Sequence, residues 1–179
     1  MDPYIFTSER LGFRSWETTD VDMLFTINSD VDAMKFFPST PSKTETRRFI
    51  ERMQEQYKKN KFCYFPVEII TTKECIGFIG LLEQTYPTDF NPSIDIGWRI
   101  HPKFWRKGYA TEGAKACLQY AFGQLHLKEI ISVAPKINIP SIAVMKKIGM
   151  TKVKEFVHPK LKDYQNLRDC VLYKIENRS

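Results

Sequence analysis

Apolar residues along this chain recur at two spacings, and the changes from one to the other mark out a succession of helices and strands. From 43 to 59, Phe49, Ile50, Met53 and Tyr57 fall on one side of a helix, the pattern of an amphipathic helix with one buried stripe. Just ahead, Ser42-Lys43-Thr44-Glu45 has the form of a capping box, in which the serine oxygen accepts from an N–H three residues on and the glutamate reaches back. An earlier helix is predicted over 18–28, opening on Thr or Asp. A third is predicted over about 109–124, with Ala110, Ala114, Cys117, Leu118 and Ala121 on one side. A fourth follows Pro140, whose fixed φ suits a first helical turn, and stops at Gly149, which tolerates the left-handed conformation of a helix end.

Between the helices lie strand-like runs at 9–15, 62–70, 75–82, 93–100, 129–134, 151–157 and 168–175. The four residues TTKE join 62–70 to 75–82 as a hairpin-length turn. Pro66 has no N–H to donate and predicts an edge strand or a bulge there. Residues 85–93 are the densest in turn formers and read as a loop. The order is a strand, two helices, three strands, a helix, a strand, a helix and two strands. That is a mixed α/β fold on a partly antiparallel sheet, with one β-α-β crossover over 93–134.

The chain's 179 residues suit one domain spanning 1–179, and no linker, repeat or low-complexity tract divides it. With 42% hydrophobic and 27% charged residues, it is expected to fold around a core rather than remain disordered. No apolar run reaches the roughly 18–20 residues needed to cross a bilayer, and the first residues lack a secretory signal's basic start and apolar stretch. The expected compartment is the cytosol. Lys and Arg number 27 against 21 Asp and Glu, a net charge of +6 that suits an anionic partner without choosing one. Cys63, Cys75, Cys117 and Cys170 match no zinc pattern, and His101, His126 and His158 stand alone, so no metal is expected. No G-x-S-x-G marks a serine hydrolase. Nucleic-acid binding is not expected either: no helix-turn-helix, zinc-finger or RNP signature is present.

The strongest chemical signal lies where strand 93–100 passes into the third helix. Gly108 sits at that junction, flanked by Arg106 and Lys107. The first amides of a helix lack intrahelical acceptors, and the helix dipole adds positive charge, so the junction suits an anion such as a pyrophosphate. An ordinary strand-to-helix turn with exposed basic residues would show the same spacing.

The residues here resemble a known family. Trp105-Arg106-Lys107-Gly108-Tyr109-Ala110-Thr111-Glu112 is similar to the acetyl-CoA loop, Q/R-x-x-G-x-G/A, of the GNAT (GCN5-related N-acetyltransferase) superfamily, most of all to its ribosomal-protein N-terminal acetyltransferase group. Asn138-Ile139-Pro140-Ser141, then Met145 and Lys147-Ile148-Gly149-Met150, resembles the family's N-x-x-S/A…k-l-G-F/M motif. The opening Ser8-Glu9-Arg10-Leu11, with Arg14 and Asp20, resembles the group's T-E-R-L-x-L-R…D start. Two departures stand out: Arg106 replaces a glycine, and Met145 occupies a position where many relatives carry a tyrosine general acid, whose proton a thioether cannot supply.

The resemblance implies a mostly antiparallel central sheet of about seven strands flanked by about four helices. It implies acetyl transfer from acetyl-CoA to a primary amine, expected to be a protein or peptide N-terminus, by a monomer or homodimer. The alternatives are a small-amine or antibiotic acetyltransferase and a non-catalytic module that binds CoA or a partner. Residues 106–111 (Arg106, Lys107, Gly108, Tyr109, Ala110 and Thr111) are expected to hold the phosphates, and Asn138 the pantetheine arm. A backbone N–H around Trp98, Arg99 and Ile100 is expected to polarise the acetyl carbonyl, and Ser141 to protonate the leaving thiolate. Asp95 is the first candidate base and Glu83, just beyond 75–82, the second. An ordinary aspartate titrates near 3.9, well below the ideal for a base at neutral pH, so Asp95 is expected to position the amine or a relay water. The helices at 18–28 and 43–59 are expected to line the acceptor side.

Overall fold

Hairpins build one side of the sheet, and a single crossover leads to the other. The computed structural model describes residues 3–177. Its strands are β1 (Phe6–Thr7), β2 (Leu11–Phe13), β3 (Tyr64–Ile69), β4 (Cys75–Gln84), β5 (Ser93–Ile100), β6 (Glu129–Pro135), β7 (Thr151–Val157) and β8 (Asp169–Glu176). Its helices are α1 (Val21–Asn28), α2 (Lys43–Asn60), α3 (Tyr109–Gly123) and α4 (Ile139–Lys147). The strands form one sheet in the order β1-β2-β3-β4-β5-β6-β8-β7. Every neighbouring pair is antiparallel except β5 and β6.

The local signals hold where they are local. Ser42 Oγ accepts from Glu45 N at 3.2 Å while Glu45 Oε2 accepts from Ser42 N at 2.8 Å, and α2 starts there. Pro140 lies in the first turn of α4, and Gly149, at φ +89°, follows its end. The predicted helix over 18–28 opens instead as a 3-10 turn at Thr18–Asp20 before becoming α1. The predicted strand 9–15 is shorter, because the chain doubles back at Ser8, whose N donates to Leu11 O at 2.8 Å. This adds β1 and makes the sheet eight-stranded. Pro66 is not on an edge, since β3 pairs on both sides. Its carbonyl accepts from Arg14 N just past the end of β2, and a register shift follows at Val67/Glu68.

The two faces of the sheet differ. One packs on α3, where Gly113 brings the helix so close that a Cβ would stand 2.4 Å from Ile79 Cδ1. The other carries Tyr64, Phe78, Asp95 and Arg99 and lies under α1 and α2; the Phe49 ring of α2 is 5.3 Å from that of Phe78, and Asn28 of α1 accepts from Arg99. Among the described residues, no helix is long and apolar enough to cross a membrane.

Candidate active site

The parallel pair β5–β6 is bridged at Asp95↔Ile131. Beyond that point Ser132 Oγ, rather than a backbone group, reaches Ile96 O at 2.9 Å, and the strands part toward their carboxyl ends. Backbone groups alternate in direction along a strand. His101 N donates to Ile76 O on the β4 side, whereas Ile96 O and Ile100 O are taken by Ser132 and by Trp105 Nε1. The amides of Trp98 and Ile100 therefore face the opening, while that of Arg99 faces β4.

Each strand of the parted pair is followed by a helix, β5 by α3 after a 3-10 turn at Pro102–Phe104 and β6 by α4 after a short loop, so the N-termini of α3 and α4 stand at the same end of the sheet, each presenting the positive end of its dipole. At α3, none of the six amides from 106 to 111 donates to a protein acceptor among the described residues; the first helical bond is Glu112 N to Gly108 O. Arg106 (φ +61°) and Gly108 (φ +83°) both adopt the left-handed conformation. This accounts for glycine in the related motif at the position of Arg106, where a side chain costs about 1 kcal/mol. At α4, Asn138 caps the helix by accepting from Ser141 N at 3.2 Å. The Ser141 hydroxyl is half-buried and makes no hydrogen bond to the protein among the described residues.

Asp95 lies on the α1/α2 face. Its Oδ1 accepts from Tyr64 Oη at 2.8 Å and its Oδ2 from Gln84 Nε2 at 3.1 Å. Withdrawal from water pushes its pKa up to about 7, although hydrogen bonds from Tyr64, Gln84 and the Leu82 backbone oppose the rise. The sequence-based expectation used an ordinary carboxylate; in the fold, this one titrates where a general base at neutral pH should. Gly97 makes room for the arrangement, since a Cβ there would meet Tyr64 Oη at 3.1 Å.

The sequence matches the family described as "Acetyltransferase (GNAT) domain" over residues 10–151. The chain belongs to the GNAT acetyltransferase family. Bacillus subtilis (strain 168) has a relative named "Uncharacterized N-acetyltransferase YnaD", 34% identical over 152 residues and covering 82% of each chain. A crystal structure of a GNAT-family acetyltransferase from Bacillus anthracis superposes with a TM-score of 0.80 at 30% identity, over 97% of this chain and 98% of that one. More distant relatives carry different acceptors in their names. The spermidine N(1)-acetyltransferase of Escherichia coli (strain K12) is 23% identical over 85% of this chain and 78% of its own. A RimL ribosomal L7/L12 alpha-N-protein acetyltransferase in complex with coenzyme A shares the fold, with a TM-score of 0.79 at 16% identity over 96% and 97% of the two chains.

Two GNAT motifs far apart in sequence meet at the loop. Glu112, in the first turn of α3, accepts from Ser8 Oγ at 2.6 Å, Arg10 N at 2.8 Å and Arg10 Nε at 2.7 Å. Burial pushes its pKa up, but these bonds prevail and hold it below the usual carboxylate range. Arg10 also donates to Lys107 O at 3.1 Å and lies over the Tyr109 ring. The opening motif thus clamps the free-amide loop, a role invisible in the sequence because Ser8 and Glu112 are 104 residues apart.

Other positions singled out in the sequence are not gathered here. Glu83 belongs to β4 itself, which runs to Gln84; it pairs with Ile94 and is exposed on the face opposite Asp95. Arg99 sends its side chain to Asn28, under α1, rather than to the opening between β5 and β6. Met145 is 1% exposed, a packed core residue. Tyr64, Gln84 and Asn28 were not singled out by sequence reasoning; their roles arise from contacts across strands or helices.

Proposed function

We propose that this acetyltransferase moves an acetyl group from acetyl-CoA to an N-terminal amine of a peptide or protein. The observation that carries the reading is the row of six unpartnered amides from 106 to 111, at the mouth of a parted parallel pair whose opposite face holds a carboxylate titrating near 7. Pyrophosphate oxygens would accept from the amides of residues 106–111, with the side chains of Arg106 and Lys107 exposed beside them. Asn138 has its amide nitrogen left over to meet the pantetheine arm. The coenzyme A complex of the RimL neighbour supports this occupant.

Asp95 takes a proton from the acceptor ammonium, directly or through a water. The neutral nitrogen attacks the thioester carbonyl carbon, and the oxyanion that forms is met by the amide of Trp98 or Ile100, both aimed into the opening. As the C–S bond breaks, the thiolate receives the proton of Ser141 Oγ, which has no competing partner among the described residues, and the second proton that the nitrogen sheds on becoming an amide passes through water to restore the Ser141 hydroxyl. An α-amine titrates near 8 and a lysine amine near 10.4, so a base near 7 is well matched to the first and poorly to the second.

The test compares kcat/KM for matched peptides, one with a free N-terminus and one N-blocked with an internal lysine. The free N-terminus should be preferred; preference for the blocked lysine peptide would reject the acceptor. Ser141→Ala should lower kcat by at least about tenfold with acetyl-CoA affinity unchanged, as expected for a group acting only as charge develops. An unaltered kcat, where chemistry limits the rate, would remove Ser141 from the mechanism.

A further inference from the structure

Arg99 is held in an unusual way for a half-buried cation. Its Nη1 donates to Asn28 Oδ1 at 2.6 Å. Asn28, 2% exposed, donates in turn from Nδ2 to Thr46 Oγ1 at 3.0 Å, and Thr46, fully buried, donates to Ser42 O at 2.9 Å. This one-way relay through α1 and α2 fixes the guanidinium from a single side. The rings of Phe37 and Phe78 lie against it, 4.2 and 5.2 Å from Cζ to their centroids. Nε is sealed from water with no hydrogen-bond partner, Nη2 makes no protein hydrogen bond, and no carboxylate forms an ion pair with Arg99 among the described residues.

Nε and Nη2 form one edge of the guanidinium fork, and Nη2, unlike Nε, is not sealed, so it is the nitrogen from which a carboxylate or phosphate oxygen can accept a charge-assisted hydrogen bond. Withdrawing a charge from water without a counter-ion is unfavourable, and the relay supplies only a neutral acceptor. Burial accordingly lowers the Arg99 pKa to about 10, still leaving the group charged at neutral pH. Asp95, Gly97 and Arg99 alternate onto the same face of β5. The cation therefore shares a face with the candidate base, its Cα roughly 13 Å away along the strand.

We propose that Arg99 is the anchor for an anionic group, a carboxylate or phosphate, carried by the acceptor several bonds from the amine. The inference rests on the acetyltransferase reading and narrows its acceptor: an acidic side chain close behind a peptide N-terminus, or a small amine bearing an anion, fits this face, whereas a polyamine would bring like charge to Arg99.

The experiment measures kcat/KM with acetyl-CoA for three isosteric acceptor pairs: free-N-terminal peptides with Glu or Gln at the second and third positions, γ-aminobutyrate and its amide, and phosphoethanolamine and ethanolamine. The anionic member of at least one pair should be preferred about 10- to 100-fold, mostly through KM. The pair that shows the preference tells a peptide acceptor from a small carboxylate or phosphate. Arg99→Gln, which can still reach Asn28, should erase the preference while the melting-temperature rise given by acetyl-CoA persists. Arg99→Lys should retain part of it and serves if the glutamine variant folds poorly. Amines turned over without charge preference, a preference for spermidine, or a preference surviving in Arg99→Gln would overturn the anchor alone. No turnover of any amine by protein that acetyl-CoA stabilises would overturn the acetyltransferase reading as well.

Discussion

Asp95→Asn should lower kcat/KM for the acceptor by about 10²–10⁴-fold, the usual worth of a positioned base, without weakening acetyl-CoA binding. The wild-type profile of kcat/KM should rise with pH through about 7, where the carboxyl loses its proton, and the rise should vanish in the variant. The same shift fixes the sign of a stability effect. A carboxyl whose pKa is raised from 3.8 to about 7 by folding is bound to its proton more firmly in the folded state. Stability is then full below pH 4, falls as pH rises toward 7, and stays lowered above it, by a few kcal/mol in total. The neutral amide of the Asp95→Asn variant would carry no such penalty, so the variant should melt higher than wild type at pH 8 while being far less active. Loss of activity together with a lower melting temperature at pH 8 would point to a structural role for Asp95.

The largest stability effect is expected at Arg14, far from the chemistry. Its guanidinium is bidentate to Asp20, at 2.8 and 2.7 Å, and its Nε reaches Glu68 Oε1 at 2.5 Å. The hydrogen bond to Asp20, with that to Glu68, raises its pKa, although burial opposes this. The three side chains are 14%, 7% and 15% exposed, so removing the cation strands two carboxylates with little water. Arg14→Ala should cost about 3–5 kcal/mol and lower the melting temperature by roughly 10 °C. Arg14→Lys should recover part of the loss, because it keeps the charge but not the fork. A melting temperature within a degree or two of wild type would show that Asp20 and Glu68 find other partners.

What was legible in the sequence follows the range of the interactions. The capping box at Ser42, Pro140 in a first helical turn, Gly149 after α4 and the junction at Gly108 are each set within a few residues, and the structure has all four. The strand order, the eighth strand and the inward position of Pro66 depend on pairing across the sheet, to which local patterning is blind. The site divides in the same way. The loop amides were readable because the start of a helix leaves its first amides without intrahelical acceptors. The strength of Asp95 was not, since its pKa is set by withdrawal from water in the folded chain, opposed by hydrogen bonds from groups such as Tyr64, 31 residues away. The Ser8–Arg10–Glu112 clamp and the relay behind Arg99 were hidden for the same reason.

Met145, packed where a phenolic acid stands in many relatives, leaves one serious rival: a GNAT domain that binds its ligand and transfers nothing. Thiol release from acetyl-CoA, quantified alongside acetylated amine in the presence of free-N-terminal peptides carrying an acidic residue, separates the two. The account predicts thiol and acetyl-amine formed in equal amounts, dependent on the peptide and abolished to near background by Asp95→Asn. A folded protein whose melting temperature rises with acetyl-CoA, yet which releases no thiol with any amine, would contradict it.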